Sequence, residues 1–177
     1  MVRLTKSELT RANLRRLVDH WEGLRRGAAL PGRQDVRPED LSFVLSQVML
    51  IDVVRPDGRA PADCLFRFRL VGTRIEQAGH PGLQGHWAHE LSPTPYRRLV
   101  LQAYREAVSE GQPNFYRVAL DYGGHQLRYE RVTLPLAGDG RQVDTLLVGT
   151  DWDPVNDEFF RVHPAIGGRP DADAAPF

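Results

Sequence analysis

The residues best suited to metal chemistry are histidines clustered around position 86. His86 and His89 are spaced to share one face of a helix, and His80 and Glu90 lie close to them in the chain. Paired imidazoles bind zinc or iron, but zinc sites usually have three or four ligands, and no cysteine accompanies these histidines. The stretch also lacks an apolar helical face that could hold haem. We therefore expect solvated loop histidines, with no metal and no haem.

Arginine and aromatic side chains form a second candidate site, which would bind a small molecule. Arg131 follows Tyr129 in a predicted strand, and its planar guanidinium group suits an acidic ligand in an interior cavity. The aromatic residues that could line this cavity with them are Phe66, Phe68, Trp87, Tyr104 and Tyr116. The alternative is that the arginine lies on a solvated or interface surface and the aromatic residues only fill the core.

Signatures of catalysis are scarce in this sequence. The single cysteine, Cys64, excludes an internal disulfide and opens a predicted strand, where we expect an ordinary buried or edge thiol. Asp52 could act as a general base, although structural pairing is the commoner role for such a carboxylate. There is no glycine-rich phosphate loop and no Gly-x-Ser-x-Gly nucleophile turn. We therefore expect a protein that is not an enzyme.

Five strands are predicted to carry these side chains. The apolar, β-branched segments Val48–Val54 and Leu65–Val71 would form a hairpin across a turn that begins at Pro56. In the second segment Phe66 and Phe68 alternate with arginines, so the aromatic rings should face the core. Three further strands would form a meander over 115–122, 127–136 and 143–152.

Helices are predicted before and between these strands. Thr5 and Glu8 form a capping-box pattern, and apolar residues recur at helical spacing from there to Leu24. Further helices are predicted over 38–47, 72–79 and 95–110. The last strand is apolar at nearly every position, so we expect the leading helix to cover its second face.

Composition restricts the class of protein. The 177 residues are 41% hydrophobic and 26% charged, with 23 basic and 23 acidic side chains, which favours one folded domain and excludes a strong attraction to nucleic acid or anionic membranes. The apolar runs are too short to span a bilayer, and charged residues interrupt any signal peptide at the N-terminus. We expect a cytoplasmic protein.

The order of elements, a helix, a hairpin, a helical middle and a three-stranded meander, resembles the PAS arrangement. The stretch 66–75 followed by 79–85 is similar to the second strand and helical entry of a PAS domain. Trp21 in the leading helix and Tyr129-Glu130-Arg131 in the fourth strand resemble, more narrowly, a bacterial family of small stand-alone PAS-like proteins once known only as a domain of unknown function. The resemblance runs from about residue 14 to residue 153.

This resemblance implies an α+β fold in which a five-stranded antiparallel sheet has helices on one face and an N-terminal amphipathic helix. We divide the chain into that helix over 1–28, the PAS-like domain over 29–156 and a loosely ordered tail over 157–177. Cys64 does not match the photoreactive cysteine of flavin-binding PAS relatives, so no cofactor is expected.

The function that the resemblance implies is a sensory or regulatory module. It would bind a small metabolite or a protein partner, and it would signal through a homodimer or a signalling protein, because no output domain fits after the sheet. The alternatives are a small α+β enzyme with a cone-shaped cavity and a His or Asp base, and an adaptor without a ligand. A cavity of ligand size would argue against the adaptor.

Overall fold

The computed structural model describes residues 1–56, 63–77, 82–153 and 156–163. The strands are β1 (Val2–Leu4), β2 (Val48–Val54), β3 (Leu65–Val71), β4 (Asn114–Tyr122), β5 (His125–Leu136) and β6 (Thr145–Trp152). The helices are α1 (Ala12–Leu24), α2 (Thr73–Gln77), α3 (Thr94–Glu110) and α4 (Asn156–Val162).

All six strands form one antiparallel sheet in the order β1-β4-β5-β6-β2-β3. The predicted hairpin β2–β3 and the predicted meander β4–β5–β6 are both present, and β6 pairs with β2 to join them. This pairing puts β6 in the middle of the sheet, which explains why nearly all of its side chains are buried. The α+β fold class is confirmed.

The leading helix α1 covers one face of the sheet, which we call the outer face. A Cβ atom added at Gly149 of β6 would lie only 2.7 Å from Cδ2 of Leu17 and 3.0 Å from Cδ2 of Leu14. The indole Nε1 of Trp21 donates a hydrogen bond to the carbonyl oxygen of Pro135 at 3.0 Å. The apolar stripe of α1 is therefore buried within its own chain, as the amphipathic pattern predicted.

The opposite face, which we call the inner face, is covered by α3 and α4. Helix α3 contacts β4 and β5, and α4 contacts β5. Helix α3 ends where predicted, with Gly111 in the left-handed conformation that favours glycine at this position. None of the described helices is both long and apolar enough to cross a membrane.

Residues 1–28 contain more than the single helix that we expected. Val2–Leu4 form an edge strand beside β4, so the sheet has six strands rather than five. The capping box exists, with the backbone N–H of Thr5 donating to Glu8 Oε2 at 2.7 Å, but it closes a short 3-10 turn. The chain is extended again at Leu9, and α1 begins only at Ala12.

Two other segments differ from expectation. The helix predicted over 38–47 consists of two 3-10 turns, Pro38–Leu41 and Leu45–Gln47, because Val44 between them has a non-helical backbone. The tail predicted to be loosely ordered from residue 157 begins within α4, whose Phe159 and Phe160 are buried. Burial of these two rings supplies the packing that the composition of the tail did not suggest. Residues 164–177 lie outside the described residues.

Candidate functional site

Arg131 lies at the centre of the inner face, on strand β5. Side chains alternate along a strand, so Tyr129 and Thr133 lie on the same face as Arg131. The residues directly opposite Arg131 are Tyr116 on β4 and Thr150 on β6. Three neighbouring strands therefore place polar side chains beneath helix α3.

The guanidinium group of Arg131 is buried among tyrosines. Its Cζ lies 5.1 Å from the ring centroid of Tyr129 and 5.6 Å from that of Tyr104, within the range of cation–π contacts. It also donates a hydrogen bond to the hydroxyl of Tyr96. Among the residues whose side chains the structure describes, no carboxylate forms an ion pair with Arg131, and the residue is only 2% exposed.

The surrounding tyrosines cannot supply the missing negative charge near neutral pH. Burial raises the pKa of Tyr104 to about 12, although Arg131 acts in the opposite direction. Burial also raises the pKa of Tyr129 and, more strongly, that of Tyr96. The three phenols are therefore neutral, and Arg131 is a buried cation without an anionic partner in the described part of the chain.

Several buried polar atoms around Arg131 have no hydrogen-bond partner among the described residues. They are Nε of Arg131 itself, Oδ1 of Asn114, and the hydroxyl oxygens of Tyr104, Tyr129, Thr133 and Thr150. Buried polar groups in proteins are almost always hydrogen-bonded, and a buried group left without a partner costs about 1–3 kcal/mol. Their concentration on one face makes this region the candidate binding site. We call these six residues the inner polar cluster.

Apolar rings enclose the inner polar cluster on two sides. Phe66 on β3 packs against Tyr104, with ring centroids 5.3 Å apart. At the other side Phe160 of α4 lies 5.3 Å from Trp152 and 5.7 Å from Tyr96, measured between ring centroids. Helix α4 therefore helps to exclude water from the cluster.

Glu130 points the other way, to the outer face, and binds the start of α1. Its carboxylate accepts hydrogen bonds from the backbone N–H of Thr10 at 2.9 Å, from that of Arg11 at 3.2 Å and from Nη2 of Arg117 at 2.7 Å. Burial alone would raise the pKa of Glu130, but these hydrogen bonds outweigh it and lower the pKa. A charged glutamate of the sheet therefore fixes the backbone immediately before the leading helix, at Thr10 and its N-cap Arg11.

Comparison with known families agrees with this architecture, in which one sheet carries a polar inner face and a helix-covered outer face. A family model described as PAS domain matches residues 9–149. The chain belongs to the PAS domain family. A search of curated proteins finds no match to it. PAS domains are generally sensory or regulatory modules, so the match favours such a role for this chain.

Five of the seven predicted ligand-binding residues lie together on the inner face of the sheet. Tyr129, Arg131 and Tyr104 meet in the inner polar cluster, and Phe66 and Phe68 are buried on the same face of the sheet. Their role in ligand binding stays a prediction.

The other two predicted residues are not part of the inner polar cluster. Tyr116 is also on the inner face, but its hydroxyl donates to Glu106 of α3. Trp87 lies at the β3 edge, stacked on His89 with ring centroids 6.0 Å apart and 5.9 Å from the guanidinium of Arg67.

Sequence reasoning missed four polar contributors to this site. Thr133 and Thr150 are fully buried, and their register beside Arg131 was available once the meander was predicted. Asn114 is at the end of β4, where its amide also donates to the carbonyl of Ala103 at 2.7 Å. Tyr96 lies in the helix predicted over 95–110, where its spacing marked it as part of the apolar face and not as a partner of Arg131.

The other chemical candidates lie away from the inner polar cluster. Among the described residues, no group of three or more histidine, cysteine, aspartate or glutamate side chains is arranged to hold a metal, and His80 lies outside those residues. Burial raises the pKa of the Cys64 thiol. The carboxylate of Asp52 forms ion pairs with Nη2 of Arg67 at 3.0 Å and with Nε of Arg69 at 2.8 Å.

A cleft of about 280 Å³ lies on the outer face, beside the start of α1. Arg11, Arg117, Glu130 and Asp153 contribute to its walls. Its two carboxylates are both paired, Glu130 with Arg117 and Asp153 with Arg11. Arg128 also lines the cleft, so its walls carry three arginines and two carboxylates, and the three arginines are partly exposed to solvent. Because water screens exposed charges, the cleft favours an ionic ligand less than the buried cation of the inner face does.

Proposed function

We propose that this PAS domain is a sensory module that binds a small molecule at the inner polar cluster and transmits its binding to the leading helix α1. The observation that carries this proposal is the buried guanidinium of Arg131, surrounded by hydroxyl groups that have no partner among the described residues. A ligand that fills these hydrogen bonds would recover the free energy that the unpaired groups cost.

Strand β5 connects the inner polar cluster with the leading helix. Arg131 and Glu130 are adjacent, so their side chains lie on opposite faces of the sheet. A ligand that changes the position of Arg131 would shift the backbone of β5 and with it the carboxylate that holds Thr10 and Arg11. The leading helix would then change its packing or stability at its first turn. We propose that a second copy of the chain, or a separate signalling protein, responds to this change.

Binding explains these features better than catalysis does. The aspartate considered as a base, Asp52, is on the outer face and is occupied by two arginines. The inner polar cluster consists of hydroxyl, amide and guanidinium groups, which are suited to hydrogen bonding and to holding an anion. An adaptor without a ligand would need another reason to keep a cation and several hydroxyls buried.

Native mass spectrometry of the full chain tests the proposal. We expect protein purified without added ligand to carry a small molecule that is released on denaturation. The variant Arg131→Met should lose that molecule. The matched variant Arg69→Met removes an arginine from the outer face of β3 and should retain it. Wild-type protein whose folded mass equals that of the chain alone would contradict the proposal and favour the adaptor.

A further inference from the structure

We infer that the inner polar cluster binds a small monocarboxylate with an apolar body. The inference rests on the proposed function and adds to it the chemical class of the ligand. Three properties of the cluster support it: its charge, its hydrogen-bond donors and the apolar side chains beside it.

The charge of the cluster calls for a monoanion. Arg131 is the cation at its centre, and no carboxylate of the described residues pairs with it. A buried charge without a counter-ion is strongly unfavourable, so one negative charge on the ligand would neutralise the site. A phosphate monoester carries about −1.5 to −2 charges at pH 7, which would exchange one uncompensated charge for another.

The donors of the cluster suit the oxygen atoms of a carboxylate. Nε of Arg131 is without a partner among the described residues, so its N–H group can donate to a ligand oxygen. Hydrogen bonds from a guanidinium group to a carboxylate are among the stronger ones in proteins. The remaining lone pairs of the carboxylate would accept hydrogen bonds from Thr150, which lies directly opposite Arg131, and from the phenol of Tyr129.

Apolar side chains on the same face would contact the rest of the ligand. Phe66 packs against Tyr104 at the edge of the cluster, and Phe68 is buried one repeat further along β3. Ile51 on β2 pairs in register with Phe68, and it is fully buried. These residues favour an aliphatic or aromatic body over a second charged group.

Paired probes of nearly the same shape, one charged and one neutral, test the inference. Benzoate and propionate would be titrated into the full-length protein by calorimetry, each beside its neutral amide, benzamide or propionamide. We expect at least one acid to bind ~10-fold or more tightly than its amide, because only the acid can neutralise Arg131. The preference should disappear in Arg131→Met and persist in Arg69→Met. If Arg131→Met does not fold, Arg131→Lys retains the charge without the planar guanidinium group and its Nε donor, and should bind the acid ~10-fold more weakly.

Three outcomes would overturn the assignment of a monocarboxylate. Equal affinity for an acid and its amide would show a ligand site that does not depend on charge, and the proposed function would stand. Inorganic phosphate that binds as tightly as the acids would show a general anion site. Failure of both acids to bind would reject this class of ligand. The molecule found by mass spectrometry in the purified protein would then decide separately whether the domain is a sensor.

Discussion

Phe68 and Arg69 are neighbours on β3 whose side chains lie on opposite faces of the sheet. Phe68 is 1% exposed, whereas the side chain of Arg69 is 55% exposed and pairs with Asp52. We predict that Phe68→Ala lowers the free energy of unfolding by ~3–5 kcal/mol, because it leaves a cavity in the core. Arg69→Ala should lower it by less than ~1.5 kcal/mol, because Arg69 is exposed and Arg67 would still pair with the buried Asp52. Urea denaturation measures both, and the reverse order would show that the inner and outer faces are assigned the wrong way round.

Glu130 gives the protein a pH-dependent contribution to stability. Because its pKa is lowered in the folded state, its contribution is fully present above the pKa of an unfolded glutamate, about 4.3, and is lost as the pH falls through the folded value. We predict that Glu130→Gln costs ~1–3 kcal/mol at pH 7. The difference from wild type should shrink when denaturation is measured below about pH 4.

Glu110 provides the control for this pH dependence. It also pairs with an arginine, Arg3, but its side chain is 40% exposed. Glu110→Gln should therefore change stability by less than ~1 kcal/mol at pH 7. A loss at Glu130 that is no larger than the loss at Glu110, or one that does not change with pH, would show that Glu130 does not hold the start of α1.

At the scale of elements, the fit between α1 and β6 depends on Gly149. Because a Cβ there would lie within 3.0 Å of two leucine side chains of α1, Gly149→Ala should displace the helix and cost ~1–3 kcal/mol. Leu17→Ala should also destabilise the protein when made alone. We predict that the two changes together cost less than the sum of their separate effects, since the shorter side chain makes room for the new methyl group. Additive losses in a double-mutant cycle would show that the helix does not pack as described.

The sequence predicted the elements that have a strong internal pattern. Strands β2 and β3 have the predicted bounds, because β-branched residues and an alternating apolar pattern strongly favour strands there. Strand β1 was missed because three residues are too few to show a period, and its position depends on pairing with β4. The start of α1 was misplaced because Glu130, far away in the chain, binds Thr10 and Arg11. Long-range contacts of this kind leave no local signal.

Arg131 illustrates the same limit at the candidate site. Its neighbour Tyr129 and its position in an alternating strand indicated that it could face the interior. The sequence did not show whether a carboxylate would meet it there, because that depends on which strands and helices become neighbours. The structure supplies this information by placing Thr150 opposite Arg131 and three tyrosines around it.

At the scale of the whole molecule, we propose that two layers communicate through one strand. The inner layer holds Arg131, which has no carboxylate partner among the described side chains, and the outer layer holds a helix whose preceding backbone, at Thr10 and Arg11, is bound by Glu130. This arrangement makes α1 the element whose stability should respond to the ligand, while α3, on the ligand's own side, would be ordered directly by contact.

Hydrogen exchange of the α1 amides tests this account most directly. The full chain would be measured with its bound molecule and again after removal of that molecule by unfolding and refolding. The account predicts faster exchange at Thr10, Arg11 and the first turn of α1 in the stripped protein, and a much smaller difference in Glu130→Gln. Identical exchange of these amides in the two states, with a difference confined to the inner face, would contradict transmission through β5 to the leading helix.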